Sequence, residues 1–89
     1  MKIEIYGTED CQNCSTAKSL SIKAKLDVKM LKLEKDYVLP DLFKKIGKRV
    51  FEFPQIFVDS KYIGNLKNYQ DFLKENIKEE EVNLDDLSI

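Results

Sequence analysis

The chain is 89 residues long, 43% apolar and 35% charged, the size of a single domain and too apolar for a disordered segment. Its 15 basic and 16 acidic residues leave a formal net charge of −1, which gives no electrostatic reason to expect nucleic acid, and its apolar runs, such as Ile56-Phe57-Val58, are too short for a transmembrane helix. Histidine is absent and cysteine occurs only at Cys11 and Cys14, which excludes histidine-based catalysis, a four-ligand zinc site within one chain and a disulfide-rich secreted scaffold.

Residues 2–6 alternate polar and apolar, with Ile3 and Ile5 on one face, and predict a strand ended by Gly7. The charges within this stretch and the lack of a small-residue cleavage site argue against a signal peptide, so the expected setting is intracellular. Residues 12–26 have helical spacing, with Cys14, Ala17, Ser21 and Ala24 three or four apart. A second strand is expected at 28–33, its buried face ambiguous. Leu39, Leu42, Phe43 and Ile46 stand at i, i+3, i+4 and i+7, an amphipathic helix with Pro40 in its first turn and Gly47 just past its end. Residues 55–59 and 61–64 read as two strands joined by a tight turn at Asp59-Ser60. Tyr69, Phe72, Leu73 and Ile77 form the stripe of a last helix, with Asn68 as its predicted N-cap.

The resulting order is β-α-β-α-β-β-α. The first two strands should be parallel across a right-handed crossover and the last two an antiparallel hairpin, an α/β fold with a four-stranded mixed sheet flanked by three helices. Charge divides the chain near residue 78. Residues 1–78 hold all 15 basic residues against 11 acidic ones, net +4, while residues 79–89 hold five acidic residues and no basic one, net −5. We read 1–78 as the domain and 79–89 as an acidic tail. The tail is open to three readings: a helix extension, a docked segment or a frayed solubilising end.

Cys11 and Cys14 fall where the first strand gives way to the first helix. The free N–H groups and partial positive charge of a helix start favour thiolate over thiol, and cysteines so placed can titrate several units below the free value of about 8.5. The three-residue step lets the two sulfurs close a small ring, with Cys11 the exposed attacker and Cys14 the shielded resolver. Glu9 and Asp10, directly before Cys11, oppose thiolate formation, so moderate activation is expected. Two packed structural cysteines and half of an intermolecular metal site are the competing readings. Farther on, Pro54 opens the third strand after Phe53. A cis bond there would turn the Phe53 backbone outward toward an extended peptide beside Cys11; a trans proline would merely begin an edge strand.

Tyr6-Gly7, Cys11-Gln12-Asn13-Cys14, Ala17-Lys18, Gly47-Lys48, Phe53-Pro54-Gln55-Ile56-Phe57-Val58-Asp59 and Ile63-Gly64 stand in the order and spacing of glutaredoxins, and the chain most resembles the short bacterial and bacteriophage members over residues 1–78. The resemblance implies a thioredoxin-like fold with Pro54 cis, Cys11 as nucleophile and Cys14 as resolving thiol. It implies glutathione as reductant, with no metal. Gln12, Asn13, Lys48, Phe53, Pro54, Asn65, Lys67 and Asn68 then become candidate glutathione or substrate contacts. Phe53 would pair with the cysteinyl backbone of glutathione, Lys48 would meet its glycine carboxylate, and residues 65–68 would cover its γ-glutamyl end. Gln12-Asn13 replaces the family's usual Pro-Tyr, Glu52-Phe53 its Thr-Val, Asn65 its second glycine, and Asn68 the aspartate that meets the glutathione amino group, so a charge-assisted bond becomes a neutral one.

The implied activity is glutathione-dependent reduction of protein disulfides and glutathione mixed disulfides in the cytoplasm, by a monomer that engages neither nucleic acid nor membrane. A second reading keeps the fold but takes electrons from a flavoprotein reductase and passes them to ribonucleotide reductase. A third is an iron–sulfur cluster carrier, two chains sharing a cluster through Cys11 and glutathione.

Overall fold

The computed structural model describes residues 1–76. It contains β1 (Lys2–Gly7), α1 (Gln12–Lys23), β2 (Asp27–Lys32), α2 (Leu39–Ile46), β3 (Gln55–Val58), β4 (Lys61–Gly64) and α3 (Leu66–Asn76). The order is the one expected. The four strands form one sheet in the order β2-β1-β3-β4, with β1 parallel to β2 and antiparallel to β3, and β4 antiparallel to β3. The acidic tail and Ile77 lie outside the described residues. Among the described residues no helix is long and apolar enough to cross a membrane.

The side-chain period of two sorts β1 and β3 between two cores. Ile3, Ile5, Ile56 and Val58 point to one face and pack with Ala17 of α1 and Tyr69 of α3. Tyr6 and Phe57 point to the other, where they meet Leu42 of α2 and Val50. With helices over both faces, every residue of β3 is buried, as expected for a central strand. One polar bond crosses the first core: the Ser21 and Tyr69 hydroxyls lie 2.5 Å apart, and Ser21 Oγ also donates to the Ala17 carbonyl at 2.9 Å. This satisfies both buried hydroxyls and ties α1 to α3. Burial raises the Tyr69 phenol above its ordinary pKa, against the opposing effect of the Ser21 bond.

Several boundaries differ from expectation: β2 runs Asp27–Lys32 rather than 28–33, β3 ends at Val58 rather than Asp59, and three differences have a clear local cause. Gly7 does not end β1; it pairs with Lys32 as the last residue of the strand. α1 stops at Lys23 rather than Leu26, because Lys25 turns left-handed (φ 60°) and the Leu26 N–H returns to the Ser21 carbonyl at 2.9 Å. That reversal delivers Leu26 to the core, where it packs against the first cluster. α3 starts at Leu66, and its cap is Asn65, not Asn68. Asn65 Oδ1 accepts from the Asn68 N–H at 3.1 Å and Asn68 Oδ1 accepts from the Asn65 N–H at 3.0 Å, a reciprocal capping box built from two asparagines. The hairpin turn is as expected: Asp59 and Ser60 are both left-handed (φ 50° and 71°), the twist that matches a two-residue hairpin loop.

Candidate active site

Cys11 is the N-cap of α1, with extended backbone (φ −102°, ψ 104°). The helix begins there because the cysteine sulfur does the work of a capping oxygen: Sγ accepts the Cys14 N–H at 3.1 Å, satisfying one of the donors a helix start leaves free. The same N–H is in place for a thiolate at Cys11. The two cysteines are joined as a disulfide, their Cα atoms 5.2 Å apart. Cys11 is half-buried, whereas Cys14 is 2% exposed, the arrangement expected of an accessible attacker and a shielded partner.

Gly7 makes room for this pair. A Cβ on Gly7 would run into Cys14 Sγ and come within 3.2 Å of its Cβ, so the Cys14 sulfur occupies the space where a β1 side chain would stand. The Gly7 carbonyl is held from two directions, by the Leu33 N–H at 2.9 Å and by the Tyr37 hydroxyl at 2.9 Å. Burial first, and Tyr6 second, pushes the Tyr37 phenol up to about 12, so it remains a donor throughout the neutral range. Between strand and helix the chain reverses at Asp10 (φ 54°). Glu9 pairs with Lys32 at 3.8 Å in an exposed ion pair, a contact of little energetic weight.

The Phe53–Pro54 bond is cis. Because Tyr6 pairs with Gln55 across β1 and β3, buried Pro54 stands one step farther along, beside Gly7 and hence near the disulfide. A groove of about 360 Å³ is lined by residues 48–52 and Gln55, on either side of Phe53-Pro54 in the chain, by Tyr62 of β4, and by Asn65 and Asn68 at the start of α3. Hydrogen bonds link the polar side chains of its lining. Asn65 Nδ2 donates to Glu52 Oε1 at 3.2 Å, Gln55 Nε2 to the Glu52 carbonyl at 2.8 Å, and the Tyr62 hydroxyl to Gln55 Oε1 at 2.5 Å. Burial first, and the Glu52 carboxylate second, raises the Tyr62 phenol above its ordinary value. Gly64, left-handed at φ 130°, leaves the space that the Asn68 side chain fills.

The candidate residues thus separate into groups. Cys11, Cys14 and Pro54 gather at the ends of β1 and β3, with Gln12 and Asn13 exposed on the first turn of α1. Lys48, Asn65 and Asn68 line the groove. Phe53 is half-buried and packs against the α2-side core. Lys67 lies outside the groove lining and faces Asp71 at 3.8 Å, one helical turn on. Reading the sequence missed Gly7 as a site residue, along with Arg49, Gln55 and Tyr62; Glu52 stood out only as a departure. Among these, Gln55 carried a signal, a polar residue at the head of an otherwise apolar strand.

Two cysteines at a helix start, one open and one covered, can perform thiol–disulfide exchange: the open thiolate attacks a disulfide sulfur and the covered thiol resolves the mixed disulfide. Comparison with known proteins points to the same exchange chemistry. No family model matches the chain. A glutaredoxin of Haemophilus influenzae is 33% identical over 81 residues, which span 84% of this chain and 93% of that protein. The solution structure of oxidised Escherichia coli glutaredoxin superposes with a TM-score of 0.76 at 31% identity, covering 86% of this chain and 98% of that one. A buckwheat glutaredoxin–glutathione complex shares the fold, with a TM-score of 0.69 at 18% identity over 83% of this chain and 69% of its own. With this likeness over most of its length and a Cys11–Cys14 pair at the expected corner of a thioredoxin-like fold, the chain belongs to the glutaredoxins and is a thiol–disulfide oxidoreductase.

Proposed function

We propose that the protein draws its electrons from glutathione and reduces both protein disulfides and glutathione mixed disulfides. The observation that carries this reading is the polar groove bearing Lys48 and Arg49, whose lining residues Glu52 and Gln55 flank the cis Phe53–Pro54 bond. The glutathione bound to the buckwheat neighbour supports it. In the cycle, the Cys11 thiolate attacks one sulfur of the substrate disulfide and expels the other as a thiolate. The deprotonated Cys14 then attacks Cys11 Sγ, releasing the second substrate thiol and closing the Cys11–Cys14 disulfide. One glutathione thiolate reopens that ring as a mixed disulfide on Cys11. A second removes the first, leaving oxidised glutathione and the dithiol protein.

For a glutathionylated substrate, Cys11 alone suffices, because free glutathione can take over the second step. A Cys14→Ser variant should therefore keep deglutathionylation, while Cys11→Ser abolishes it; equal loss in both would overturn the assigned roles. Turnover with a flavoprotein reductase but not with glutathione and its reductase would overturn glutathione as the electron source. The reading places the protein as a monomer in a reducing cytoplasm, where thiols stay reduced. Disulfide-bearing proteins, ribonucleotide reductase among them, are its substrate class.

A further inference from the structure

The groove carries charges of both signs. Lys48 and Arg49 are exposed on one stretch of its lining and Glu52 stands three residues beyond Arg49. Among the described residues none of the three is in an ion pair, so the groove does not neutralise itself. Glu52 Oε1 accepts from Asn65 Nδ2, which fixes the carboxylate, and among the described residues its second oxygen has no donor. Asn68, another polar residue of the lining, is committed: its Oδ1 accepts the Asn65 N–H in the α3 cap. The carboxylate also bears on Tyr62 of the same lining, where, after burial, it is the second cause of the phenol's raised pKa. Glu52 is thus the one anion in the groove lining, alongside two cations. Glutathione has the complementary set, one ammonium and two carboxylates.

We infer that Glu52 is an ammonium-binding residue that selects glutathione by its α-amino group, while Lys48 and Arg49 face its carboxylates. This rests on the glutathione reading above and deepens it. A single turnover tests it. The reduced dithiol protein is mixed with either of two disulfides of 2-mercaptoethanol, one made with glutathione and one with glutaryl-cysteinyl-glycine, which is glutathione without its amino group. An exposed charge pair is worth up to about 1 kcal/mol, or about fivefold in affinity.

The wild-type protein should half-saturate at about fivefold lower concentration with the glutathione disulfide. Glu52→Gln should erase that preference by raising the half-saturating concentration for glutathione alone, with the saturating rate unchanged. Glutamine keeps an oxygen to accept from Asn65, so the variant removes charge without removing the scaffold bond. Glu52→Asp should restore part of the preference, which a purely structural role would not. An unchanged preference in Glu52→Gln overturns the inference while leaving the glutathione reading intact. A wild-type protein that reacts with neither disulfide overturns the glutathione reading, and the inference with it.

Discussion

Gly7 is held at its position by volume rather than by backbone freedom, since the missing side chain is where Cys14 Sγ lies. Gly7→Ala should lower stability by about 1–3 kcal/mol, the usual cost of overfilling a packed site, measured by urea unfolding of the oxidised protein. Tyr37 acts one atom away, through the Gly7 carbonyl. Its raised pKa of about 12 gives a defined pH dependence. An unfolded tyrosine ionises near pH 10, so the folded state holds the proton more tightly. The associated stability is fully present below about pH 10 and is lost as pH rises through the folded value. Tyr62 and Tyr69 shift in the same direction. Unfolding free energies measured from pH 9 to 12 should therefore fall, and Tyr37→Phe should reduce the slope.

Helix boundaries were the least legible elements, for local reasons. The stripe Tyr69, Phe72, Leu73 left out Leu66, which stands at i−3 of Tyr69 and packs against the same core, so the start was placed too late; the helix is set by Asn65, just before it, through its exchange of bonds with Asn68. Asn65→Ala should cost about 1 kcal/mol as a lost cap, read as a lower midpoint of thermal unfolding, and should also free the Glu52 carboxylate. α1 ran long in the sequence because Ala24 and Leu26 continue its pattern, while the reversal at Lys25 has no glycine to announce it. The buried face of β2 was ambiguous because the strand is an edge, its residues at most half-buried. β1 and β3 were legible because each alternates between two separate cores.

At the scale of the molecule, the cysteine corner could be read from the chain because Cys11 and Cys14 are neighbours in one helical turn. The groove could not be assembled from composition or spacing: its lining comes from residues 48–52, two strands and a helix start. Only the resemblance pointed to Lys48, Asn65 and Asn68, and it left Arg49 and Tyr62 unmarked. Because the groove's charges are exposed, raising ionic strength from about 0.01 M to 0.15 M shortens the Debye length from roughly 30 Å to 8 Å and should weaken glutathione capture, seen as a rising half-saturating concentration in the single-turnover reaction. The two sulfurs are also mounted on different supports. Cys14 rests on the backbone of a central strand, in a helix that Ser21 and Tyr69 bolt to α3, while Cys11 sits at the free corner outside it. When the disulfide opens, Cys14 has no room to retreat, so the displacement falls on Cys11 and residues 8–13. The redox cycle then runs on a fixed chassis with one small moving jaw: amide chemical shifts should differ between oxidised and reduced protein around that jaw and remain unchanged at Ser21 and Tyr69.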